Sequence, residues 1–223
     1  MNIIALDTST EYCSLALWLN GNLVSREVLA GQRHSELLLP MLQAMLTEAG
    51  MTLNQIDGIA FGAGPGSFTG LRIACGITQG LAFAQDIPVI GISTLEALAQ
   101  QVDAPRVLAA LDARMGELYF AAYEKTATGW LCVHEPLLCR PETAPGVNGD
   151  GWTGCGSGFD LYQPVLSEKY SSNLQRIVPG CYPRAREMAE MSAIKFASGE
   201  GRVAEEALPV YIRNKVALKE SER

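Results

Sequence analysis

The chain has 223 residues, 48% of them hydrophobic and 18% charged, and a formal net charge of -7. That length holds one large domain or two small ones sharing a hinge, with enough apolar residues for a sizeable core. The acidic balance argues against an independent RNA binder, which carries a basic footprint, but leaves room for a role beside a basic partner that holds the RNA. The six cysteines, Cys13, Cys75, Cys132, Cys139, Cys155 and Cys181, are scattered without a C-x-x-C pair, so there is no zinc signature. The first residues turn polar at Asp7, too early for a signal peptide, and no apolar run reaches membrane-spanning length. A cytoplasmic protein with reduced thiols is the resulting expectation.

Residues 3–6 read as a strand ending at Asp7, followed by strands at 13–19 and 23–29. Asn20-Gly21-Asn22 between the last two is a hairpin signal, because Asn and Gly tolerate positive φ. Over 33–49, Leu38, Met41, Leu42, Met45, Leu46 and Ala49 recur at helical spacing, with Gly50 as the stop. Pro40 inside that pattern is expected to kink the helix or to mark its true first turn. Residues 56–61 read as a buried strand, 62–66 as a tight loop, 67–84 as a helix rich in small residues, and 88–92 as another strand. Ser93 and Glu96 fit a capping box opening the next helix.

The pattern then begins again. Residues 107–112, ending at Asp112, echo 3–7, and 118–123 echo 14–18. Two α/β units can start alike without being related; the paired aspartates favour an internal duplication. The later part is less regular. It offers a strand at 130–135, an exposed connection at 140–151, a glycine-rich loop at 154–158 before a short helix, and a helix over 183–197 with Pro183 in its first turn. A short strand at 209–212 and a polar tail after Asn214 complete the reading.

Tandem α/β halves of β-β-β-α type, each opening with an Asp-tipped hairpin, look like the fold shared by actin, hexokinase and the heat-shock ATPases, divided here at 1–103 and 104–223. The stretch Gly64-Pro65-Gly66-Ser67-Phe68-Thr69-Gly70-Leu71-Arg72 is similar to the signature of the TsaB (YeaZ) family. Asp7-Thr8-Ser9-Thr10, Arg33-His34-Ser35-Glu36, residues 111–117 and residues 209–214 also resemble that family. The resemblance implies a scaffold or activating subunit. It would pair with TsaD, a catalytic paralogue of the same fold, and be served by the ATPase TsaE. The product would be threonylcarbamoyl on adenosine 37 of tRNAs reading codons that begin with A, with tRNA touched only indirectly.

The catalytic paralogue carries a metal-binding H-x-x-x-H, two imidazoles on one helix face. The matching positions here are Thr94 and Leu98, so neither a metal site nor catalysis is expected. The only histidines, His34 and His134, fall in different halves and outside any ligand pattern. His34 reads as a capping or surface group and His134 as a strand-edge residue. No serine has a nearby base, which leaves a peptidase triad without support.

Asp7, Thr8 and Ser9 can face a phosphate or its metal, and Gly154, Gly156 and Gly158 can approach an adenosine. The plainer reading is that Asp7 caps a turn and the glycines make bends, because both places lack longer phosphate loops. No tight cofactor is expected, and at most ATP or ADP bound weakly or shared at a subunit interface.

A partner interface is expected on the two N-terminal-half helices, through Leu38, Met41, Leu42, Met45, Gly66, Phe68, Gly70, Arg72 and Ala74. The apolar arc of the first helix is wide, and the small residues of the second let another helix come close; packing on their own sheet is the alternative. Without the paralogue the same surface favours a homodimer. Arg72 and Arg114 read as solvated or loop-pinning groups, and Arg213, Lys215 and Lys219 as part of a solvated tail. The competing readings are a sugar-kinase-type enzyme using Asp7 or Asp112, and a peptidase.

Overall fold

The computed structural model describes residues 1–213; the readings placed on Asn214, Lys215 and Lys219 lie outside the described residues. The first sheet is built from β1 (Asn2–Asp7), β2 (Tyr12–Leu19), β3 (Asn22–Leu29), β4 (Gly58–Gly64) and β5 (Val89–Ser93) in the order β3-β2-β1-β4-β5. The hairpin strands pair antiparallel, whereas β4 and β5 run parallel to β1. Asn20 and Gly21 both take positive φ, which closes β2 onto β3 with Leu19 opposite Asn22. Three helices follow or interrupt these strands: α1 (His34–Glu48), α2 (Phe68–Gln85) and α3 (Thr94–Gln101).

The second sheet contains β6 (Arg106–Arg114), β7 (Glu117–Thr126), β8 (Gly129–Cys139), β9 (Trp152–Cys155) and β10 (Leu174–Val178). Its order is β10-β9-β6-β7-β8, with β7 and β8 antiparallel and β9 and β10 parallel to β6. Read from β8, that is the strand arrangement of the first sheet, so the duplication extends to topology. Helix α4 (Ser157–Lys169) stands where α2 does, and α5 (Ala185–Ala197) follows β10 as α3 follows β5. The second half is reduced: in place of α1 it has only a 3-10 turn at Pro141–Thr143.

Both sheets are covered on both faces, which is why β1 reads as a continuous apolar run. Ile4 and Leu6 face the core under α1 and α2, while Ile3 and Ala5 face the core under α5. In β6, Val107, Ala109 and Leu111 face α3, and Leu108 and Ala110 face the layer that holds α4. The terminal helices are therefore exchanged. Leu95, Leu98 and Ala99 of α3 pack on the second sheet, and Met188, Ala189 and Met191 of α5 pack on the first. A cut at 103/104 separates the two sheets but leaves α3 and α5 each in the half opposite the sheet it covers.

Several expectations need correction. Helix α1 runs through Pro40 from His34 to Glu48. Glu36 and Pro40 are both exposed, so water can take the carbonyl that Pro40 leaves without a donor. Residues 62–64 extend β4 rather than starting a loop. Ser93 caps α3 by accepting from the Glu96 N–H at 3.4 Å, but the Glu96 carboxylate makes no return bond, so only half of the capping box forms. Helix α4 is thirteen residues long, bent at Tyr162, where φ and ψ leave the helical region. Strand β10 had no counterpart among the expected elements. Residues 209–212 are not a strand. No helix among the described residues is long and apolar enough to cross a membrane.

Candidate functional site

The tips of the β1–β2 and β6–β7 hairpins face each other across a cleft of about 950 Å³. Ser9, Thr10 and Glu11 line it from the first half and residues 112–115 from the second, with the starts of α1, α2 and α4 between them. Asp7 and Asp112 occupy equivalent strand ends but different environments. Asp112 is tied to its own turn, its Oδ1 accepting from the Arg114 N–H at 2.9 Å and its Oδ2 lying 3.2 Å from the Arg114 guanidinium. Arg114 thus pins the hairpin while its head stays in solvent.

Asp7 is fully buried. Its Oδ1 accepts from the Ser9 N–H at 3.1 Å and the Ser9 hydroxyl at 2.9 Å, while Oδ2 has no partner. Burial pushes the Asp7 carboxyl up to about 7, against the opposing pull of the two Ser9 bonds. Gly62 makes this placement possible, because a Cβ there would lie 1.9 Å from Oδ2. Asp7 does not line the cleft; of the three expected phosphate-facing residues, Ser9 alone does. The Thr8 hydroxyl is already committed, donating to the Gly70 carbonyl at 2.7 Å.

That bond belongs to a joint between the glycine stretch and the first hairpin. Ser67 caps α2, accepting from the Gly70 N–H at 3.3 Å, and the Ser67 N–H donates to the Ser9 carbonyl at 2.7 Å. A Cβ on Gly66 would come within 2.7 Å of the Ser9 carbonyl oxygen, and one on Gly70 within 1.8 Å of the Thr8 carbonyl oxygen. These glycines let the start of α2 lie against the backbone of the first hairpin.

The other glycine-rich segment is explained in the same way. A Cβ on Gly154 would lie 2.5 Å from the Phe159 ring, and one on Gly156 would lie 2.2 Å from the Ala110 carbonyl oxygen. Neither residue lines the cleft; Ser157 does, and its hydroxyl accepts from the Asp112 N–H at 3.0 Å. Where a Cβ would stand, these glycines meet the protein's own side chains and backbone.

His34 departs from its reading as a cap or surface group. It is the first residue of α1, 5% exposed, and it lines the cleft with Nδ1 unpartnered. Burial lowers its pKa, opposed by the carbonyls of Thr10 and Gly31. His134 sits on the edge strand β8, its Nε2 2.8 Å from the Gly146 carbonyl. Glu187, on α5, has no sequence signal at all. It is buried with Oε2 unpartnered, and burial raises its carboxyl to about 7.

Burial also divides the residues expected at a partner interface. Leu38, Leu42, Met45 and Ala74 lie in the first core, and Gly70 is buried against Thr8. Met41 and Gly66 are half-buried; Phe68 and Arg72 are exposed. The face that α1 and α2 do turn outward carries Leu39 on one helix and Arg72, Gly76, Gly80 and Phe83 on the other, with Phe83 77% exposed. Gly76 and Gly80 have open space where a Cβ would stand, so the small residues here do not serve packing on the chain's own sheet.

The model of TsaD, described as tRNA N6-adenosine threonylcarbamoyltransferase, matches residues 27–153, more than half of the chain. A tRNA threonylcarbamoyladenosine biosynthesis protein TsaB from Escherichia coli (strain K12) is 40% identical, over 98% of this chain and 97% of its own length. The chain belongs to the TsaB family. A second TsaB, from Haemophilus influenzae, is 37% identical over 98% of this chain and 96% of its own. A crystal structure of an uncharacterized Pseudomonas aeruginosa protein, described as similar to peptidase YEAZ, superposes with a TM-score of 0.88. It is 39% identical, with 95% of this chain and 99% of that one covered. A structure titled YeaZ from the same organism gives a TM-score of 0.84 at 39% identity, over 94% and 99%.

In this TsaB-family chain Thr94 and Leu98, singled out in the sequence, are both engaged in structure. The Thr94 hydroxyl donates to the Pro65 carbonyl at 2.5 Å, holding the glycine stretch against α3. Leu98 is fully buried in the core of the second half. Among the described residues, no group of three or more His, Cys, Asp or Glu side chains is placed to share a metal.

Proposed function

We propose that this chain acts in tRNA threonylcarbamoyladenosine biosynthesis as a non-catalytic subunit that pairs with the catalytic paralogue TsaD and works with the ATPase TsaE. The observation that supports this reading is the state of Thr94 and Leu98, which the family resemblance matches to the paralogue's metal-binding histidines: one hydroxyl is bonded to Pro65 and the other side chain is a core leucine. The paralogue would supply acyl transfer to adenosine 37 of tRNAs reading codons that begin with A, and most of the RNA contact, since this chain carries a net charge of -7. Thr8, Gly154 and Gly156 are used internally, which supports the absence of a tight nucleotide site in this chain alone. Reconstituted tRNA modification should fall to background when this chain is omitted. The purified chain by itself should show neither acyl transfer nor ATP hydrolysis; turnover by the lone chain would overturn the reading.

The surface that supports the pairing is the outward face of α1 and α2. Small residues at Gly76 and Gly80 would let a helix of the paralogue approach closely, with Phe83 and Leu39 as apolar anchors. Phe83→Glu and Gly76→Arg are expected to leave the melting temperature within a few degrees of wild type and to abolish co-elution with TsaD on a sizing column. Leu38→Glu is a different kind of variant, because it puts a charge in the core and unfolds the chain. Co-elution of both surface variants at wild-type strength would remove this face from the proposal.

A further inference from the structure

After the last 3-10 turn at Ala204–Glu206 the chain crosses from one half to the other at the edge of the cleft. On the first half, the Val210 N–H donates to the Ala63 carbonyl at 2.8 Å, and Tyr211 joins an exposed cluster with Phe68 and Arg72. The Arg72 Nε donates to the Tyr211 hydroxyl at 2.9 Å, and its guanidinium lies 3.7 Å above the Phe68 ring. On the second half, Ile212 packs against the core of the β6–β7 side. The Arg213 guanidinium pairs with Glu117 at 2.7 Å and donates to the Ala113 carbonyl at 3.0 Å. Six consecutive residues without regular secondary structure thus fasten the end of β4 and the start of α2 to the β6–β7 hairpin.

We propose that residues 208–213 are a clasp that holds the two halves together across the cleft, and that it is released when a partner covers Phe68 and Arg72. This rests on the proposed pairing, because Phe68 and Arg72 lie at the N-terminal end of the α2 face assigned to the paralogue. The two ends of the clasp differ in a way that suits such a release. The Arg213 end is half-buried and ion-paired, whereas the Tyr211 end consists of exposed aromatic and cationic groups that another protein can contact directly. A partner seated on Phe68 and Arg72 competes with Tyr211 for both, and the free energy of that competition is what shifts the clasp.

Hydrogen exchange by mass spectrometry tests this in the full chain. Arg213→Ala and Arg72→Ala should each speed exchange of 208–213 by roughly tenfold or more. Arg213→Ala should also speed exchange of the hairpin at 112–117, and neither variant should change β1, which reports on the fold. Adding TsaD to the wild type should speed exchange of 208–213 to a similar extent while protecting α2. Unchanged exchange in both variants, or protection of 208–213 in the complex, overturns the clasp. Failure to co-elute with TsaD removes the pairing and the release with it. Co-elution with unchanged exchange at 208–213 removes only the inference drawn here.

Discussion

Gly70→Ala is expected to destabilise the protein by about 3–5 kcal/mol, whereas Gly76→Ala, two turns further along α2, is expected to stabilise it by about 0.5–1 kcal/mol. Both substitutions add one methyl group to the same helix, in its first turn at Gly70 and in its interior at Gly76. At Gly70 the methyl carbon would stand 1.8 Å from the Thr8 carbonyl oxygen, a backbone atom that no rotamer change can move. The helix start has to lift off the hairpin. That breaks the Thr8 hydroxyl bond to the Gly70 carbonyl and the Ser67 N–H bond to the Ser9 carbonyl, both 2.7 Å long. At Gly76 nothing lies within 4 Å, so the methyl group only restricts the unfolded chain and favours the helix. Thermal unfolding followed by circular dichroism should show the first variant melting on the order of 10 °C below wild type and the second slightly above it. Equal melting temperatures for the two would mean that the joint between α2 and the hairpin yields, and that the glycine stretch has some other purpose.

Asp7→Asn is expected to stabilise the protein at pH 8 by about 2–4 kcal/mol, with the gain shrinking steadily as the pH falls toward 4. Burial holds the Asp7 carboxyl near 7 in the folded state, above its ordinary value of 3.8. Between those values the folded chain keeps a proton that the unfolded chain has released. Raising the pH through this window therefore costs the native state stability, and the loss is complete once the folded carboxyl ionises. Below the unfolded value the two states are protonated alike and the penalty vanishes. Asparagine cannot ionise, so its variant lacks this slope, which makes the pH dependence of the difference the quantity to measure. Glu187, also raised to about 7 by burial, adds a slope of the same sign in both proteins, and Glu187→Gln should remove it. Urea unfolding at pH 5, 6.5 and 8 decides the matter: a gain from Asp7→Asn that is constant across that range would show that Asp7 is ionised throughout.

The burial of Asp7 also bears on the kinase-like alternative. An acid buried beside Ser9 and absent from the cleft lining is poorly placed to bind a magnesium ion or activate a hydroxyl there. Asp112 reaches the cleft, but Arg114 already pairs with its carboxylate.

The features that the amino-acid sequence determined by itself are those written in neighbouring residues. Asn20 and Gly21 close the first hairpin because Asn and Gly take its positive φ at little steric cost. Ser67 starts α2 because a serine oxygen can cap an N–H three residues on. The repeated strand, aspartate, turn and strand announced two halves. The Gly64–Arg72 stretch carried the family, because close backbone contact can be satisfied by few other residues. What only the tertiary structure decided are the relations between distant segments. The spacing of Leu38, Leu42 and Met45 defined an apolar arc on α1 but not which part of it the sheet would cover, and the sheet took these three, leaving Leu39 outside. No local pattern sends α5 back to the first sheet, adds β10 beside β9, buries Glu187 or carries residues 208–213 across the cleft. Each of those depends on burial against residues far away in the chain, and periodicity within a segment contains no record of what will lie against it.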